Sequence, residues 1–358
     1  MTSERGPAKS EGGASHPTPA QRPGHPITLR DVAEVAGVSV ATVSLVVNNK
    51  KDARIGADAR RRVRDAIHEL GYRPNALAKT LASGSSRFIG LVADAIATTP
   101  FAGQIIHGAQ DEAWKHGFVL LVANTEGDEP VEKDAISMML EHKVRGILYS
   151  TWFHRAAEVP AALHETDFVL VNCFSPDGSA RAVVPDEVQG GRTATDILIE
   201  KGHRRIAFIN TTTPAPARDG RLKGYREALE SAGIAFDPDL VFDAVPDQEG
   251  GYDTVEQLLR RDVTAVFCHN DRVAMGLYDG LRRRGLSIPD DMSVVGFDNQ
   301  EVIAAHLRPP LSTVALPHYE LGAAGVRVLL GVGEPAEDRL VKIDCPAVER
   351  DSVGARRA

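Results

Sequence analysis

The most basic part of the chain is a stretch near its amino end. Residues 27–84 contain ten Lys or Arg and six Asp or Glu, although the whole 358-residue chain has a formal net charge of -8. Four closely spaced guanidinium groups could bind phosphates or could pair with neighbouring carboxylates: Arg60, Arg61, Arg62 and Arg64. A head of net +4 on a body of net -13 is the charge distribution expected when only the head touches nucleic acid.

The sequence offers little for catalysis or metal binding. Its histidines have no nearby Ser/Asp pattern of a catalytic triad, and G-x-S-x-G is absent, as is G-x-G-x-x-G after the first predicted strand. The three cysteines lie far apart and form no C-x-x-C pair: Cys173, Cys268 and Cys345. We therefore expect no catalytic residue, no metal site, no cofactor and no disulfide framework.

The basic head must be positioned by short helices. Thr28 followed by Asp31 is a variant of the capping box and predicts a helix over 29–36, and Ser39 can cap a second helix that runs through Val46. Gly37 between them supplies the backbone freedom for a tight turn. Small apolar residues recur where two such helices would cross: Val32, Ala33, Ala36, Val38, Val43 and Val46. The pattern predicts a helix-turn-helix, with an ordinary helical hairpin as the alternative.

A third helix is expected over 57–70, with Pro74 preventing its continuation. Asn75 can cap one further helix, of about two turns, which is too short to be stable alone. Residues 83–86 follow as a flexible tether. Residues 1–26 are rich in Pro, Gly and Ser and predict a disordered leader.

From Phe88 onward, apolar runs alternate with amphipathic stretches, which predicts parallel sheets covered by helices. The expected strands are 88–92, 118–122, 146–150, 168–171, 205–209, 265–268 and 293–297. The expected helices are 104–115, 131–142, 193–201, 220–231, 273–284 and 319–330. About 260 residues of this alternation exceed one sheet, so we expect two similar lobes with a boundary near Pro185–Asp186 and a return after about residue 312.

The motifs of head and body together resemble one family. The head contains T-L-R-D-V-A-E-V-A-G-V-S-V-A-T-V-S-L-V-V-N and then G-Y-R-P-N-A-L-A-K-T-L-A. The body contains I-G-L-V, K-G-H-R-R-I-A-F-I, G-R-L-K-G-Y-R-E-A-L, H-N-D-R-V-A-M-G and S-V-V-G-F-D-N in that order. These motifs resemble the LacI/GalR family of bacterial transcriptional regulators.

The resemblance implies a fold class, namely a small all-α helix-turn-helix head plus an α/β periplasmic-binding-protein-like body of two doubly wound lobes. The corresponding segments are a leader (1–26), a DNA-binding domain (27–73), a hinge helix and linker (74–86), a ligand-binding and dimerisation domain (87–350) and a tail (351–358).

The resemblance also implies which residues meet DNA. The base-reading positions of the second helix are Val40, Ala41 and Leu45. Positions that touch the DNA backbone or flank the bases are Thr28, Ser39, Thr42, Ser44, Asn48 and Tyr72. In the hinge helix, which begins at Asn75, Ala78 permits close approach of two copies and Leu81 enters the minor groove as a wedge.

The recognition helix departs from the usual family pattern. Family members commonly carry a polar or basic residue at the position of Leu45, whereas Val40, Ala41 and Leu45 are all apolar here. Such a face can contact thymine methyl groups but cannot make bidentate hydrogen bonds to bases. The alternative is that Leu45 packs inside the head.

In the body, the resemblance implies an effector cleft between the lobes. Arg221, Asn270 and Asp298 match cleft-facing residues, and Phe101 matches an aromatic residue that covers the ligand. Trp152 and Phe174 follow strand ends, where open α/β sheets bind ligands, and could stack on a sugar. Arg221 could instead pair with a helix carboxylate, and Trp152 could be a core residue. Asp186 could act as a structural hinge or contact the ligand.

We therefore expect a cytoplasmic, nucleoid-associated DNA-binding regulator that acts as a repressor and has no membrane partner. Because no apolar heptads follow Arg350, a homodimer on a near-palindromic double-stranded operator is expected. A small-molecule effector, with a sugar favoured and a nucleobase or nucleoside as the alternative, would change operator affinity by linkage. A solute-binding receptor and an enzyme are remote alternatives.

Overall fold

The computed structural model describes residues 27–48, 54–72, 86–96, 102–333 and 338–356. It divides into two units, residues 1–79 and 80–358. No helix in these described ranges is long and apolar enough to cross a lipid bilayer.

The first unit contains three helices in its described part, α1 (Leu29–Ala36), α2 (Val40–Val47) and α3 (Ala57–Leu70). Both hydrogen bonds of the capping box between Thr28 and Asp31 are present at the start of α1. Gly37 has a φ of 62°, which places it in the left-handed region that the turn between α1 and α2 requires. The predicted helix-turn-helix is therefore present.

The head has its own core. Val32 on α1, Val43 on α2 and Val63 on α3 are all fully buried in one apolar cluster. α3 ends at Gly71, which adopts a left-handed conformation with a φ of 64°. This glycine cap, rather than Pro74, ends the third helix.

The second unit contains two sheets that form two lobes. The strands of the first-lobe sheet run in the order β2, β1, β3, β4, β5, β11. Their bounds are β1 (Phe88–Ala93), β2 (Val119–Asn124), β3 (Ile147–Ala156), β4 (Phe168–Phe174), β5 (Ala182–Pro185) and β11 (Leu340–Ile343). All of the pairings in this sheet are parallel.

The second-lobe sheet repeats this arrangement, in the order β7, β6, β8, β9, β10, β12. Its strands are β6 (Ile206–Thr211), β7 (Val241–Ala244), β8 (Ala265–Cys268), β9 (Ser293–Asp298), β10 (Ser312–Ala315) and β12 (Ala347–Val348). The pairing of β12 with β10 is antiparallel, and the other pairings are parallel.

Helices cover the two sheets. Those of the first lobe are α4 (Gly103–Lys115), α5 (Glu129–Glu141) and α11 (His318–Leu330). Those of the second lobe are α6 (Glu187–Glu200), α7 (Pro216–Ser231), α8 (Gln248–Leu259), α9 (Asp271–Arg282) and the short α10 (Glu301–Ala304). Two short 3₁₀ segments, Ala161–Glu165 and Pro238–Leu240, complete the described elements.

The chain passes between the lobes three times. The first passage follows β5, as expected, and the second follows β10, close to the expected residue 312. A third passage, from β11 to β12, was not predicted, and Cys345 lies in it fully buried. Beyond it, Ser352 is fully buried and its hydroxyl donates to the Val294 carbonyl, so the last described residues pack on the second lobe.

The pairing of β3 with β4 is interrupted close to the lobe boundary. Ser150 pairs with Val171 and Arg155 pairs with Cys173, so four residues of β3 lie opposite the single residue Asn172. Asn172 has a positive φ of 60°. Such irregularities redirect side chains out of a sheet, and this one carries Trp152, Phe153 and His154.

Two second-lobe helices pack unusually closely. A Cβ on Gly224 of α7 would overlap the Val188 carbonyl oxygen of α6, and a Cβ on Gly191 of α6 would overlap the backbone of Arg221. Because these positions lack side chains, the two helix backbones can approach each other. This contact brings Glu187 at the start of α6 next to Arg221 on α7.

Candidate functional site

The second helix of the head presents an apolar surface. Val40 is 42% exposed and Leu45 is 37% exposed, and Ala41 beside them is also exposed. The alternative that Leu45 packs inside the head is therefore wrong. These three side chains form the exposed face of α2, whereas Val43 and Val46 face the core.

The polar residues predicted around this face take part in local hydrogen bonds. Thr28 and Ser39 cap α1 and α2, and the Ser39 hydroxyl lies 2.9 Å from that of Thr42. At the other end of α2, the Asn48 side-chain amide donates to the Ser44 carbonyl oxygen at 2.9 Å. These bonds fix the ends of the recognition helix.

Other predicted DNA-facing residues have different surroundings. Tyr72 is only 9% exposed and belongs to the core of the head, and burial raises the pKa of its phenol. Arg61 and Arg62 both pair with Asp58, at 2.5 Å and 3.4 Å, so part of the arginine run forms a charge-paired helix face. Asn75, Ala78 and Leu81 lie outside the described residues.

In the body, a cavity of about 270 Å³ lies between the lobes. The first-lobe side is lined by Trp152, Phe153, His154 and Asn172, and His318 contributes from the start of α11. The second-lobe side is lined by Glu187, Thr211, Thr213, Ala215, Ala217, Arg221, Pro246, His269, Asn270, Arg272, Asp298 and Leu316. The second-lobe residues lie mainly at carboxyl ends of strands or at starts of helices, where α/β folds bind ligands.

Arg221 is the centre of this site. Its Nε donates to Glu187 at 2.8 Å, its Nη1 donates to the His269 carbonyl, and its Nη2 lies 3.8 Å from Asp298. The guanidinium carbon lies 3.6 Å from the centre of the Phe297 ring. Arg221 is thus held by the protein on several sides. Its pairing with a helix carboxylate, which was the expected alternative, is confirmed by the contact with Glu187. Arg221 nevertheless also lines the cavity.

The two carboxylates beside Arg221 differ in charge state. Burial raises the pKa of Glu187, but Arg221 and His154 outweigh that effect and lower it to about 2. Burial raises the pKa of Asp298 to about 6, although Arg221 opposes the change. Asp298 also has a positive φ of 95° and accepts from the Gln300 amide at 3.0 Å. One carboxylate is therefore firmly ionised and the other titrates near neutrality.

Asn270 lines the cavity while serving as a helix cap. Its side-chain oxygen accepts from the Val273 amide at 2.9 Å, and its side-chain nitrogen donates to the Pro246 carbonyl at 3.0 Å. Asp186 has a similar structural role, because its carboxylate accepts from Val188 and Gln189 at the start of α6. Asp186 is not among the residues that line the cavity.

The aromatic residues predicted for the effector site differ in whether they line the cavity. Trp152 lines the cavity and also packs against the first-lobe core, so both of its expected roles are present. Phe174 does not line the cavity, because it lies behind His154 with the two ring centres 5.7 Å apart. Phe101 lies outside the described residues.

Sequence reasoning missed several cavity residues. Glu187, His154, His269 and His318 converge there although none was singled out as a ligand contact. Burial lowers the pKa of His318 to about 4 and that of His269 well below its usual value, so both imidazoles are neutral. Proximity in sequence was a usable signal for three of them. Each lies one or two positions from a residue that was singled out: Glu187 from Asp186, His154 from Trp152 and His269 from Asn270.

Three polar atoms in the cavity are buried and unpaired. Within the described part of the chain, His154 Nε2, His269 Nδ1 and Arg272 Nε have no hydrogen-bond partner. Within the described ranges, no group of three or more His, Cys, Asp or Glu side chains is placed so that it could hold a metal ion. Buried unpaired polar atoms are costly, so an added hydrogen-bond partner would be favourable at each of these atoms.

Comparison with known proteins identifies the family. Residues 28–75 match the family described as "Bacterial regulatory proteins, lacI family" and residues 195–353 match the "Periplasmic binding protein-like domain". The transcriptional repressor PurR of Pasteurella multocida is 31% identical over 335 residues, which are 92% of this chain and 99% of that protein. The chain belongs to the LacI family.

Other similarities agree with this assignment. The ribose operon repressor of Escherichia coli K12 is 35% identical over 309 residues, covering 85% of this chain and 92% of that repressor. The Lac repressor dimer bound to operator and an anti-inducer has a TM-score of 0.73 at 26% identity, covering 92% of this chain and all of the other. The regulator CelR in complex with cellobiose has a TM-score of 0.61 at 30% identity, covering 91% and 99%.

Membership of the LacI family confirms the predicted fold class and the class of function. These relatives are named as transcriptional repressors or regulators and not as enzymes, in agreement with the expectation from the sequence. LacI-family regulators bind DNA operators and small-molecule effectors.

Proposed function

We propose that this LacI-family protein is a dimeric repressor whose affinity for a near-palindromic operator is controlled by a sugar bound between its lobes. The observation that carries the proposal is the pair of buried carboxylates, Glu187 and Asp298, on either side of Arg221 in an inter-lobe cavity. Carboxylates accept hydrogen bonds from hydroxyl groups, and the free Nε of Arg272 donates to hydroxyl oxygens. A ligand with hydroxyl groups, which both donate and accept hydrogen bonds, can therefore pair with the carboxylates and with the Arg272 donor.

The size and walls of the cavity favour a small polar ring. Its volume of about 270 Å³ is near the lower end of typical ligand sites. Trp152 supplies an apolar face opposite the charged second-lobe wall, as a sugar with one apolar and several hydroxyl-bearing faces requires. A nucleobase is the second candidate, and the cavity-lining rings of Trp152 and Phe153 favour it because an aromatic ring face can stack on a base.

A thermal-shift screen of the full chain separates these candidates. The probes are D-ribose, D-glucose, cellobiose, adenine and guanosine. A ligand at 100 times its Kd should stabilise the folded protein by about 2.7 kcal/mol. Trp114→Ala, which alters a 66% exposed tryptophan on α4, serves as a control that should keep the wild-type response. Stabilisation by the purines but not by the sugars would replace the sugar proposal with the nucleobase one.

On the DNA side, we propose that Val40, Ala41 and Leu45 contact thymine methyl groups in the major groove. Thr28, Ser39, Thr42, Ser44 and Asn48 would contact or flank the DNA backbone, whereas Tyr72 would support them from the core of the head. A hinge helix with Asn75, Ala78 and Leu81 would open the minor groove, so that much of the specificity comes from DNA deformation. The exposed apolar face of α2 supports this assignment.

Replacement of Leu45 tests the groove contact. In a selection of binding sites from random DNA, Leu45→Ala should relax the base preference at one position of each half-site, by about 1 kcal/mol. Leu259→Ala, at a 40% exposed leucine of the body, should leave the preference unchanged. An unchanged preference for Leu45→Ala would mean that this residue does not face the bases.

A further inference from the structure

A pair of side chains joins the two lobes at the cavity. His154 lies on β3 of the first lobe and Glu187 is the first residue of α6 in the second lobe. His154 Nδ1 is 3.3 Å from Glu187 Oε1. The two side chains are 9% and 5% exposed, so water competes little for this contact.

The chemistry of Glu187 determines where the imidazole proton lies. Its second carboxylate oxygen accepts from Arg221 Nε at 2.8 Å, which keeps the carboxylate ionised inside the protein. An ionised carboxylate accepts hydrogen bonds and cannot donate them. The hydrogen bond to His154 therefore requires a proton on Nδ1.

The opposite nitrogen of the same ring is left without a partner. Nε2 of His154 is buried and makes no hydrogen bond within the described ranges, although the residue lines the cavity. The Phe174 ring packs edge-to-face against the imidazole, with the two ring centres 5.7 Å apart. In a neutral imidazole with a proton on Nδ1, Nε2 carries a lone pair and acts as an acceptor.

We infer that Glu187 is a positioning residue that holds the proton of His154 on Nδ1, so that Nε2 accepts a hydrogen bond from a hydroxyl or amine of the effector. This inference rests on the proposed effector site and names what the effector must present to the first lobe. An effector with only acceptors at this point would leave Nε2 unpaired. Hydroxyl groups satisfy both this acceptor and the unpaired donor on Arg272.

The position of the proton can be measured without an effector or DNA. The experiment uses the full-length protein labelled with ¹⁵N in histidine, sedimented and examined by magic-angle-spinning NMR at pH 7.5, where protonated and bare imidazole nitrogens have different shifts. The His154 signals are assigned by their loss in His154→Gln. The expected result is a protonated Nδ1 and a bare Nε2.

Substitution of Glu187 tests its positioning role. Glu187→Gln can donate as well as accept, so the His154 signals should change to a mixture of the two tautomers. Glu187→Asp keeps a carboxylate and provides a second variant. The exposed Glu301→Gln is the control and should leave the His154 signals unchanged.

Two results would overturn the inference. A proton on Nε2 in the wild type, alone or with one on Nδ1, would make this atom a donor. Unchanged His154 signals in a folded Glu187→Gln protein would show that Glu187 does not set the tautomer. The NMR samples contain no DNA and no effector, so either result counts only against the role of Glu187. The proposed regulatory function is tested separately, by measuring operator binding of the unlabelled wild type.

Discussion

The two lobes share one topology but differ in the charge that they supply to the cavity. The first lobe contributes the aromatic rings of Trp152 and Phe153 and the polar His154 and Asn172, around an interruption in the pairing of β3 with β4. The second lobe contributes charged groups from strand ends and helix starts, which are held by close packing of α6 on α7. From this difference we expect changes in the second-lobe wall to lower the stability of the protein more than changes in the first-lobe wall.

The largest expected effect follows from removing the guanidinium of the second-lobe wall. Arg221→Met would leave Glu187 and Asp298 buried without their shared cation, and breaking such a network costs about 3–5 kcal/mol. Chemical denaturation of the effector-free protein measures the loss. Lys223→Met, at a 66% exposed position of the same helix, should change stability by less than about 1 kcal/mol. Equal losses for the two variants would mean that the buried contacts of Arg221 do not stabilise the second lobe.

The close helix contact can be tested at a position that touches no ligand. Gly224→Ala would place a methyl group against the Val188 carbonyl oxygen and should destabilise the protein by about 1–3 kcal/mol through overpacking. It should also weaken binding of the sugar identified in the screen, because Glu187 moves relative to Arg221. Gly103→Ala is the matched control, since nothing lies within 4 Å of its added methyl group. A fully stable Gly224→Ala protein would argue that this packing does not position the wall.

The raised pKa of Asp298 predicts a pH effect of defined sign. The pKa of Asp298 is about 6 in the folded state, which exceeds its value in the unfolded state. Between these two pKa values the folded state binds more protons than the unfolded state. The free energy of unfolding therefore falls as the pH rises from the unfolded to the folded pKa. Relative to Asp298→Asn, the free energy of unfolding of the wild type should fall by about 2 kcal/mol between pH 4.5 and pH 7.5. Asp219→Asn, at an 80% exposed side chain, should show no such difference from the wild type. Parallel profiles for wild type and Asp298→Asn would contradict the assignment.

The smallest effect on folding is expected on the first-lobe wall. Trp152→Ala should weaken binding of the identified sugar about tenfold, which corresponds to about 1.4 kcal/mol, because it removes the apolar face. Its midpoint of denaturation should fall by less than that of Arg221→Met, since Trp152 is only partly buried. A larger loss of stability for Trp152→Ala than for Arg221→Met would reverse the comparison of the lobes.

Much of the fold was predictable because it depends on local patterns. The capping residues Thr28 and Ser39 and the turn at Gly37 located the first two helices correctly. Long apolar strands such as β6 and β9 were also found. The four-residue strands β5, β7 and β10 were not predicted, whereas β8, of the same length, was found as the apolar run 265–268; so short a run carries no clear period, and only an unbroken apolar sequence marks it.

The cavity was only partly predictable, because its chemistry depends on contacts between distant segments. The sequence located Arg221, Asn270, Asp298 and Trp152 in it, whereas Phe174 lies behind it. It could not reveal that Glu187 pairs with Arg221, because that contact depends on glycines of two helices. The position of His154 beside Trp152 was a usable signal, but the direction of its side chain could not be predicted, because it follows from the irregular pairing of β3 with β4.

The most direct test of the account measures operator affinity with and without the sugar that gives the largest thermal shift. The full-length wild type is titrated onto a labelled operator, obtained from the binding-site selection, by fluorescence anisotropy. We expect the sugar to change the Kd by about 5- to 150-fold, which is the usual range of a coupling between two sites. Identical operator affinities in the absence and presence of every probe of the screen would contradict control by an effector.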